Sequence, residues 1–287
     1  MPKILITGAN GQLGNEIKKI SNNFKYFDFI FTDVDDLDIT DIKKIEDFYY
    51  SQKFDFIVNC AAYTAVDKAE TEPEIAEKIN AFAVKNLAEI SRENKIPLVH
   101  ISTDYVFDGK SKIPYKEDDA VNPQSVYGKT KLKGEEFAKT AYEYFIIRTS
   151  WLYSSFGNNF VKTILRLGRE REELKIVSDQ TGSPTYAEDL AFAVLKMLQK
   201  ISGFSGSYSG IYHFSDEGSC SWYEFAKEIT KISGIDCNIL PISTEEYPVP
   251  AKRPEYSLLD KSKIKTTFDI DIPFWKDSLK RCLKELL

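Results

Sequence analysis

Histidine is scarce in this chain: there are two, His100 and His213, among 287 residues. They stand far apart in sequence, so neither a histidine metal site nor a Ser-His-Asp triad is expected. His100 lies inside an apolar run and reads as a packed strand residue. The four cysteines, Cys60, Cys220, Cys237 and Cys282, fit no zinc spacing and are too few to staple a chain of this length. They read as small buried apolar residues. A basic surplus is also missing. The net charge is −6, with both signs scattered along the chain. That argues against nucleic acid as the main partner, because phosphate-backbone binders need a basic patch. It leaves room for a local basic pocket around a diphosphate. No apolar run approaches the ~18 residues of a membrane helix, so no membrane contact is expected. The opening MPKILITGANG meets glycine too soon for a signal peptide, and a reducing cytoplasm is the expected location.

What is present is an ordinary apolar fraction, 43%, enough for one large domain or two small ones. In the first half, short β-rich runs alternate with helical patterns. Strands are predicted at Lys3–Thr7, Phe27–Thr32, Phe56–Cys60, Leu98–Thr103 and Tyr144–Thr149. Helices are predicted at Gly11–Ser21, Asp41–Ser51, Glu74–Asn94 and Tyr127–Thr140. Such alternation predicts βαβ units and a parallel sheet of the α/β class. The second half is less regular. Thr185-x-x-Glu188 and Ser221-x-x-Glu224 match the capping box and place helix starts near Tyr186 and Trp222. Short strands are expected at Tyr212–Ser215 and Asn238–Ile242, and a last helix at about Phe274–Leu286. Two interleaved lobes are expected, 1–150 and 151–287, the second sending elements back to the first.

Gly8-Ala-Asn-Gly11-Gln-Leu-Gly14 follows the first strand and opens the first helix. A dinucleotide site needs such a turn: tight, open to backbone N–H groups, and close-packed against the strand. The helix N-terminus adds positive partial charge beneath a pyrophosphate. The spacing is G-x-x-G-x-x-G, and no Lys-Ser/Thr follows, which excludes a P-loop. Asp33 closes the second strand, where a carboxylate can accept from an adenosine ribose and favours NAD over NADP. The stretch Asp33–Asp38 is rich in acids and reads equally well as a solvated loop.

Tyr-x-x-x-Lys occurs three times, at Tyr49/Lys53, Tyr127/Lys131 and Tyr223/Lys227. Residues four apart on a helix share a face. A carbonyl accepting hydride needs a proton, and a phenol with a reference pKa of about 10 is activated by a nearby ammonium. Ligands bind beyond the C-terminal ends of parallel strands. Only Tyr127, after the Leu98–Thr103 strand, opens at that edge. Ser102 and Thr103 end the same strand and offer a hydroxyl to the carbonyl or to Tyr127.

The glycine loop, the strand-end Ser/Thr and the later Tyr-x-x-x-Lys, in that order, resemble the extended short-chain dehydrogenases. Four longer strings narrow the match across nearly the whole chain. They are Val58–Asp67 (VNCAAYTAVD), Ser102–Gly109 (STDYVFDG), Ser178–Thr185 (SDQTGSPT), and Arg253-Pro254 with Ser257–Asp260 (SLLD). These are similar to the dTDP-4-dehydrorhamnose reductase family. The resemblance implies a Rossmann-like, doubly wound parallel sheet with a smaller C-terminal lobe for a nucleotide sugar. It implies NADPH or NADH as cofactor and reduction of a C4 ketone in surface-polysaccharide biosynthesis. By the same resemblance Tyr127 donates the proton, Lys131 lowers its pKa and holds the cofactor ribose, and Thr103 assists. Asn10, Gly11, Gln12 and Leu13 would contact the diphosphate, with Gly8 and Gly14 shaping the loop. Asp38 and Ile39 would lie near the adenine, and Ala61, Ala62 and Tyr63 would line the cleft. Asp104, Trp151 and Arg253 would face the sugar. Some members dimerise through a magnesium ion held by glutamates. A homodimer is therefore compatible with the sequence, but no metal site is assigned.

Related 4,6-dehydratases carry Thr-Asp-Glu where this chain has Thr103-Asp104-Tyr105. Water elimination needs that second carboxylate, so reduction is favoured. A reductase of another 4-keto-6-deoxy sugar is a rival, as is a non-catalytic subunit like the regulatory β subunit of methionine adenosyltransferase.

Overall fold

A computed structural model describes residues 1–203 and 208–287. Six parallel strands form its central sheet: β1 (Lys3–Thr7), β2 (Asp28–Thr32), β3 (Phe56–Asn59), β4 (Leu98–Thr103), β5 (Tyr144–Thr149) and β6 (Gly210–His213). Their spatial order is β6-β5-β4-β3-β1-β2. The continuous apolar runs explain the burial: Ile4, Leu5, Ile6, Ile57 and Val58 are inaccessible to solvent, as in a sheet covered on both faces. On one face α1 (Gln12–Ile20) and a long helix, Ala187–Ser202, pack over Ile4, Ile6, Val58 and Phe145. On the other, Ile42–Gln52 and Ala83–Asn94 cover Leu5, Ile57, Leu98 and Ile146. The chain reverses direction across the sheet between β1 and β3, and a crevice opens at their C-terminal ends.

Local chemistry sets the element ends. Asp41 caps Ile42–Gln52 by accepting the N–H groups of Lys43 and Lys44. Ser125 caps α2 (Val126–Ala138) through the Gly128 N–H at 3.1 Å. The predicted capping box at Ser221 and Glu224 is present and starts the helix Trp222–Ser233. The one predicted at Thr185 is not. That helix begins at Ala187 without a side-chain cap. Thr185 pairs with Leu152 instead, and Glu188 is drawn away to Lys19 and Arg281. The predicted helix over 74–94 runs from Pro73 and contains a π turn at Lys78–Phe82.

The rest of the second half builds a smaller layer. A parallel pair, Glu173–Val177 with Asn238–Ile242, sits beside the helices Phe160–Glu170, Trp222–Ser233 and Trp275–Leu286. Their core includes Tyr153, Tyr186, Phe225, Trp275 and Leu279. Each buried side chain of this size is worth about 1.5–3 kcal/mol. The helix Phe160–Glu170 and the strand Glu173–Val177 were not anticipated, although Asn159 caps the helix by accepting the Lys162 N–H at 3.1 Å. Strand β6 crosses back to extend the central sheet beside β5. His100 and His213 are buried strand residues. Cys220 and Cys282 are buried, whereas Cys60 and Cys237 are only partly so, and all four are free thiols.

Candidate active site

The glycine loop begins where β1 ends. Gly8 has φ of +65°, and a Cβ there would stand 2.6 Å from the Ala61 backbone. At Gly14 a Cβ would stand 2.5 Å from Ala9 Cα. Both positions therefore exclude any side chain. Gly11 precedes α1 with no side-chain cap, and the first turn of α1 carries no acidic residue. The N–H groups opening α1 are left for an anion.

A cleft of about 490 Å³ opens over this turn. Of the residues expected to bind cofactor, Gly8, Asn10 and Gly11 line it on one side, Asp33, Asp38 and Ile39 on a second, and Ala61 and Ala62 on a third. Thr7, Leu37, Cys60 and Ile79 also line it and were not anticipated. The shape and donor set fit a dinucleotide: an uncapped helix start, a turn no Cβ can enter, and carboxylates beside that turn.

Four expected residues stand elsewhere. Leu13 turns its side chain into the hydrophobic core, so only its backbone can serve a phosphate. Gln12 accepts Asn159 Nδ2 at 2.9 Å, which aims its amide at the 156–159 loop. Gly14 is packed within α1 against Ala9. Tyr63 is tied by its N–H to Asn80 at 2.8 Å and by its hydroxyl to Glu72. Asp33 has a second duty: Oδ2 accepts the Asn10 N–H at 2.9 Å and Oδ1 accepts that of Val34.

At the end of β4, Thr103, Asp104, Tyr127 and Lys131 converge. Lys131 is buried, lies beside Cys60 at the cleft floor, and donates to the Ile101 carbonyl at 2.5 Å. Burial pushes its ammonium down to about 8, against the pull of Glu135. Burial pushes the Tyr127 phenol up to about 12, and the neighbour that draws it down is the Thr103 hydroxyl. The Lys131 ammonium itself is turned to the Ile101 carbonyl. Thr103 Oγ1 lies 2.9 Å from Asp104 Oδ1 and accepts the Tyr105 N–H at 3.2 Å. Asp104 is buried, and its Oδ2 has no hydrogen-bond partner. Burial raises its carboxyl to about 7, with Thr103 and Ser257 holding it down.

Ser102 does not join this group. Its hydroxyl donates to Glu135 at 2.5 Å, and Glu135 also takes two bonds from Arg148. The other two Tyr-x-x-x-Lys pairs are surface cation–π contacts, Lys53 over Tyr49 at 4.5 Å and Lys227 over Tyr223 at 5.3 Å.

Two expected sugar-facing residues are held by partners that sequence reading missed. Trp151 has φ of +50° and stacks on Trp222 with ring centroids 3.6 Å apart and planes 9° from parallel. Arg253 pairs with Asp67 at 2.6 Å and leaves Nη1 buried without a partner. Asp67 and Ser257 both lay within the family-like strings, which was the available signal. Nothing in the spacing pointed to Trp222.

The chain matches the family model described as "RmlD substrate binding domain" over residues 2–287. It is 42% identical to the spore coat polysaccharide biosynthesis protein SpsK of Bacillus subtilis, covering 99% of this chain and 98% of that one. A crystal structure of a dTDP-4-dehydrorhamnose reductase from Clostridium acetobutylicum is 50% identical, with a TM-score of 0.93 and 99% of both chains covered. Another, from Bacillus anthracis in complex with NADP, is 43% identical with a TM-score of 0.92, covering 99% of this chain and all of that one (100%). The protein described here belongs to the RmlD substrate binding domain family.

Proposed function

We propose that this chain is an NAD(P)H-dependent dTDP-4-dehydrorhamnose reductase, forming dTDP-L-rhamnose for polysaccharide biosynthesis. The observation that carries the reading is the convergence of Thr103, Tyr127 and Lys131 at the end of β4, beside a cleft built on the glycine turn. Family membership and the names of close relatives support the same reading.

In this reading residues 1–150 hold the dinucleotide and 151–287 the nucleotide sugar, with β6 returning to the first lobe. The cleft lined by Gly8, Asn10, Gly11, Ala61 and Ala62 would hold a reduced nicotinamide cofactor, which would supply the hydride for C4 of the keto sugar. The chain's own groups do the rest. The loop N–H groups and the start of α1 hold the diphosphate, and Asp33 or Asp38 accepts from the adenosine ribose. Lys131 holds the other ribose. Tyr127 gives its proton to the carbonyl oxygen as negative charge develops there, and Thr103 donates to the same oxygen or to the phenol. The phenolate is then reprotonated from solvent. Trp151 and Arg253 bound the sugar side. The reading places the enzyme in the cytoplasm. Among the described residues, no helix is long and apolar enough to cross a membrane.

The test mixes purified protein with NADH or NADPH and dTDP-4-dehydro-L-rhamnose, following loss of reduced cofactor and identifying the sugar formed. Turnover is expected, and Tyr127→Phe should lower kcat by roughly 10²–10⁴-fold. Binding of reduced cofactor without turnover would remove this substrate from consideration.

A further inference from the structure

The segment that leads from Trp151 into the second lobe folds back over the start of α1. Ser154 Oγ donates to Glu16 Oε1 at 2.6 Å, and Asn159 Nδ2 donates to Gln12 Oε1 at 2.9 Å. Gln12 and Glu16 stand four apart and so share one face of the helix. Between the two contacts lies Gly157, with φ of +64°. A Cβ there would stand 3.1 Å from Gln12 Cγ. The lack of a side chain lets the segment lie directly on Gln12.

The Asn159 amide is not free to turn round. Its Oδ1 accepts the Lys162 N–H at 3.1 Å, and its Nδ2 also donates to the Ser154 carbonyl at 2.7 Å. Reversed, it would set oxygen against a carbonyl and nitrogen against an N–H. Asn159 therefore always offers Gln12 a donor, and the Gln12 amide is oriented in turn. Gln12 is the first residue of α1. Just before it, Gly11 donates to the Gly8 carbonyl at 3.1 Å, and the Asn15 N–H closes the first helical turn onto Gly11 at 3.0 Å. The N–H groups of Gln12, Leu13 and Gly14 are left without a carbonyl inside the helix. These are the donors that the proposed reading gives to the diphosphate. The turn is tied to β2 by Asp33, which accepts the Asn10 N–H, and to the second lobe by Asn159.

We propose that Asn159 is a positioning residue for the dinucleotide: from the second lobe it holds Gln12, and with it the free N–H groups that open α1, in place for the diphosphate. The inference rests on the proposed reading only in that the cleft takes a reduced dinucleotide. Asn159 acts through Gln12 and touches neither ligand. The first lobe therefore does not hold the dinucleotide unaided.

The deciding measurement is binding without turnover. Titration calorimetry gives Kd for NADH, for NADPH and for dTDP as a probe of the sugar side, in the parent, Asn159→Ser, Gln12→Met and the double variant. Asn159→Ser keeps a cap acceptor for Phe160–Glu170 but is too short to reach Gln12. It should weaken both reduced cofactors by about three- to tenfold, the worth of one neutral hydrogen bond, and leave dTDP binding as it was. Gln12→Met should show the same loss, and the double variant no more, because both changes remove one contact. Asn159→Thr takes the place of Asn159→Ser if the latter does not fold. An unchanged cofactor Kd in the Asn159 variant would overturn the proposal. Losses that add in the double variant would overturn it too, by placing the Gln12 amide on the diphosphate itself. So would a parallel weakening of dTDP, which marks a loosened second lobe. A parent that binds neither reduced cofactor would overturn the dinucleotide reading and this inference together. The expected pattern without turnover of the keto sugar would support the inference and count against the reductase reading alone.

Discussion

Arg148 and Glu135 form a buried two-bond pair, with Nε and Nη2 at 2.9 and 2.8 Å from the two carboxylate oxygens. Arg148 belongs to β5 and Glu135 to α2, the helix that carries Tyr127 and Lys131. Ser102, next to Thr103 in β4, donates to the same carboxylate. Three elements of the site are thus pinned at one carboxyl. Breaking a buried pair by removing one partner strands the other charge and costs about 3–5 kcal/mol. Arg148→Ala should lower Tm sharply, and Arg148→Met with Glu135→Leu should recover much of the loss in the same thermal melt.

Lys19 of α1 contacts Glu16, Glu188 and Glu285, the last two from the helices Ala187–Ser202 and Trp275–Leu286. Lys19→Met leaves three carboxylates together without their ammonium. The variant should melt below the parent at neutral pH. The gap should narrow as pH falls through the carboxylate range, because protonation removes the repulsion. A gap independent of pH would assign the loss to packing instead.

In the proposed reading Asp33 would influence the choice of cofactor. Its carboxylate would repel a 2′-phosphate and could accept from a ribose hydroxyl. Asp33→Ala should raise the ratio of NADPH to NADH rates by roughly tenfold or more, about 1.4 kcal/mol. Both absolute rates should fall, because the Asn10 N–H loses its acceptor. Steady-state kinetics with each cofactor read both effects.

Trp222 backs Trp151 across a flat 3.6 Å stack. An aromatic pair contributes about 0.5–1.5 kcal/mol beyond burial. Trp222→Leu should therefore raise KM for the nucleotide sugar by up to roughly tenfold and leave KM for the reduced cofactor in place.

His213 is held neutral in the fold, its pKa pushed down by burial and by Arg148 to about 3. His100 is shifted the same way by burial and Lys131. The unfolded chain takes up these protons near pH 6.5, while the folded chain does not until far lower pH. Stability is therefore complete above that value and is lost as pH falls toward 3, by up to about 1.4 kcal/mol per unit for each histidine. Denaturant melts from pH 7 to 4 should show the decline, and His213→Gln should flatten it.

The first half of the chain was legible because its signals are local. β1, β4 and β5 have the predicted bounds, since continuous apolar runs flanked by glycine or polar turns admit few alternatives. The glycine turn followed from its spacing directly after the first strand, and the choice of Tyr127 with Lys131 from sheet-edge logic. What escaped was tertiary. Thr185 and Glu188 satisfy the capping pattern, but strand pairing and two cations claim them first. Leu13 sits in a phosphate-binding string, yet its side chain follows the helical period into the core. The turn of Lys131 toward Ile101 depends on where a carbonyl thirty residues earlier lies. Trp222 meets Trp151 only because the helix Trp222–Ser233 folds over the second lobe.

The bond between Lys19 and Glu285 spans 266 positions. During synthesis α1 emerges long before the helix that supplies Glu285. The helix α1 therefore lacks one of its anchors until the 266 positions that separate the pair have been translated, and such distant closure is slow. Fusions or truncations that crowd the last helix should thus show themselves first as poor yield of folded protein, before any effect on turnover.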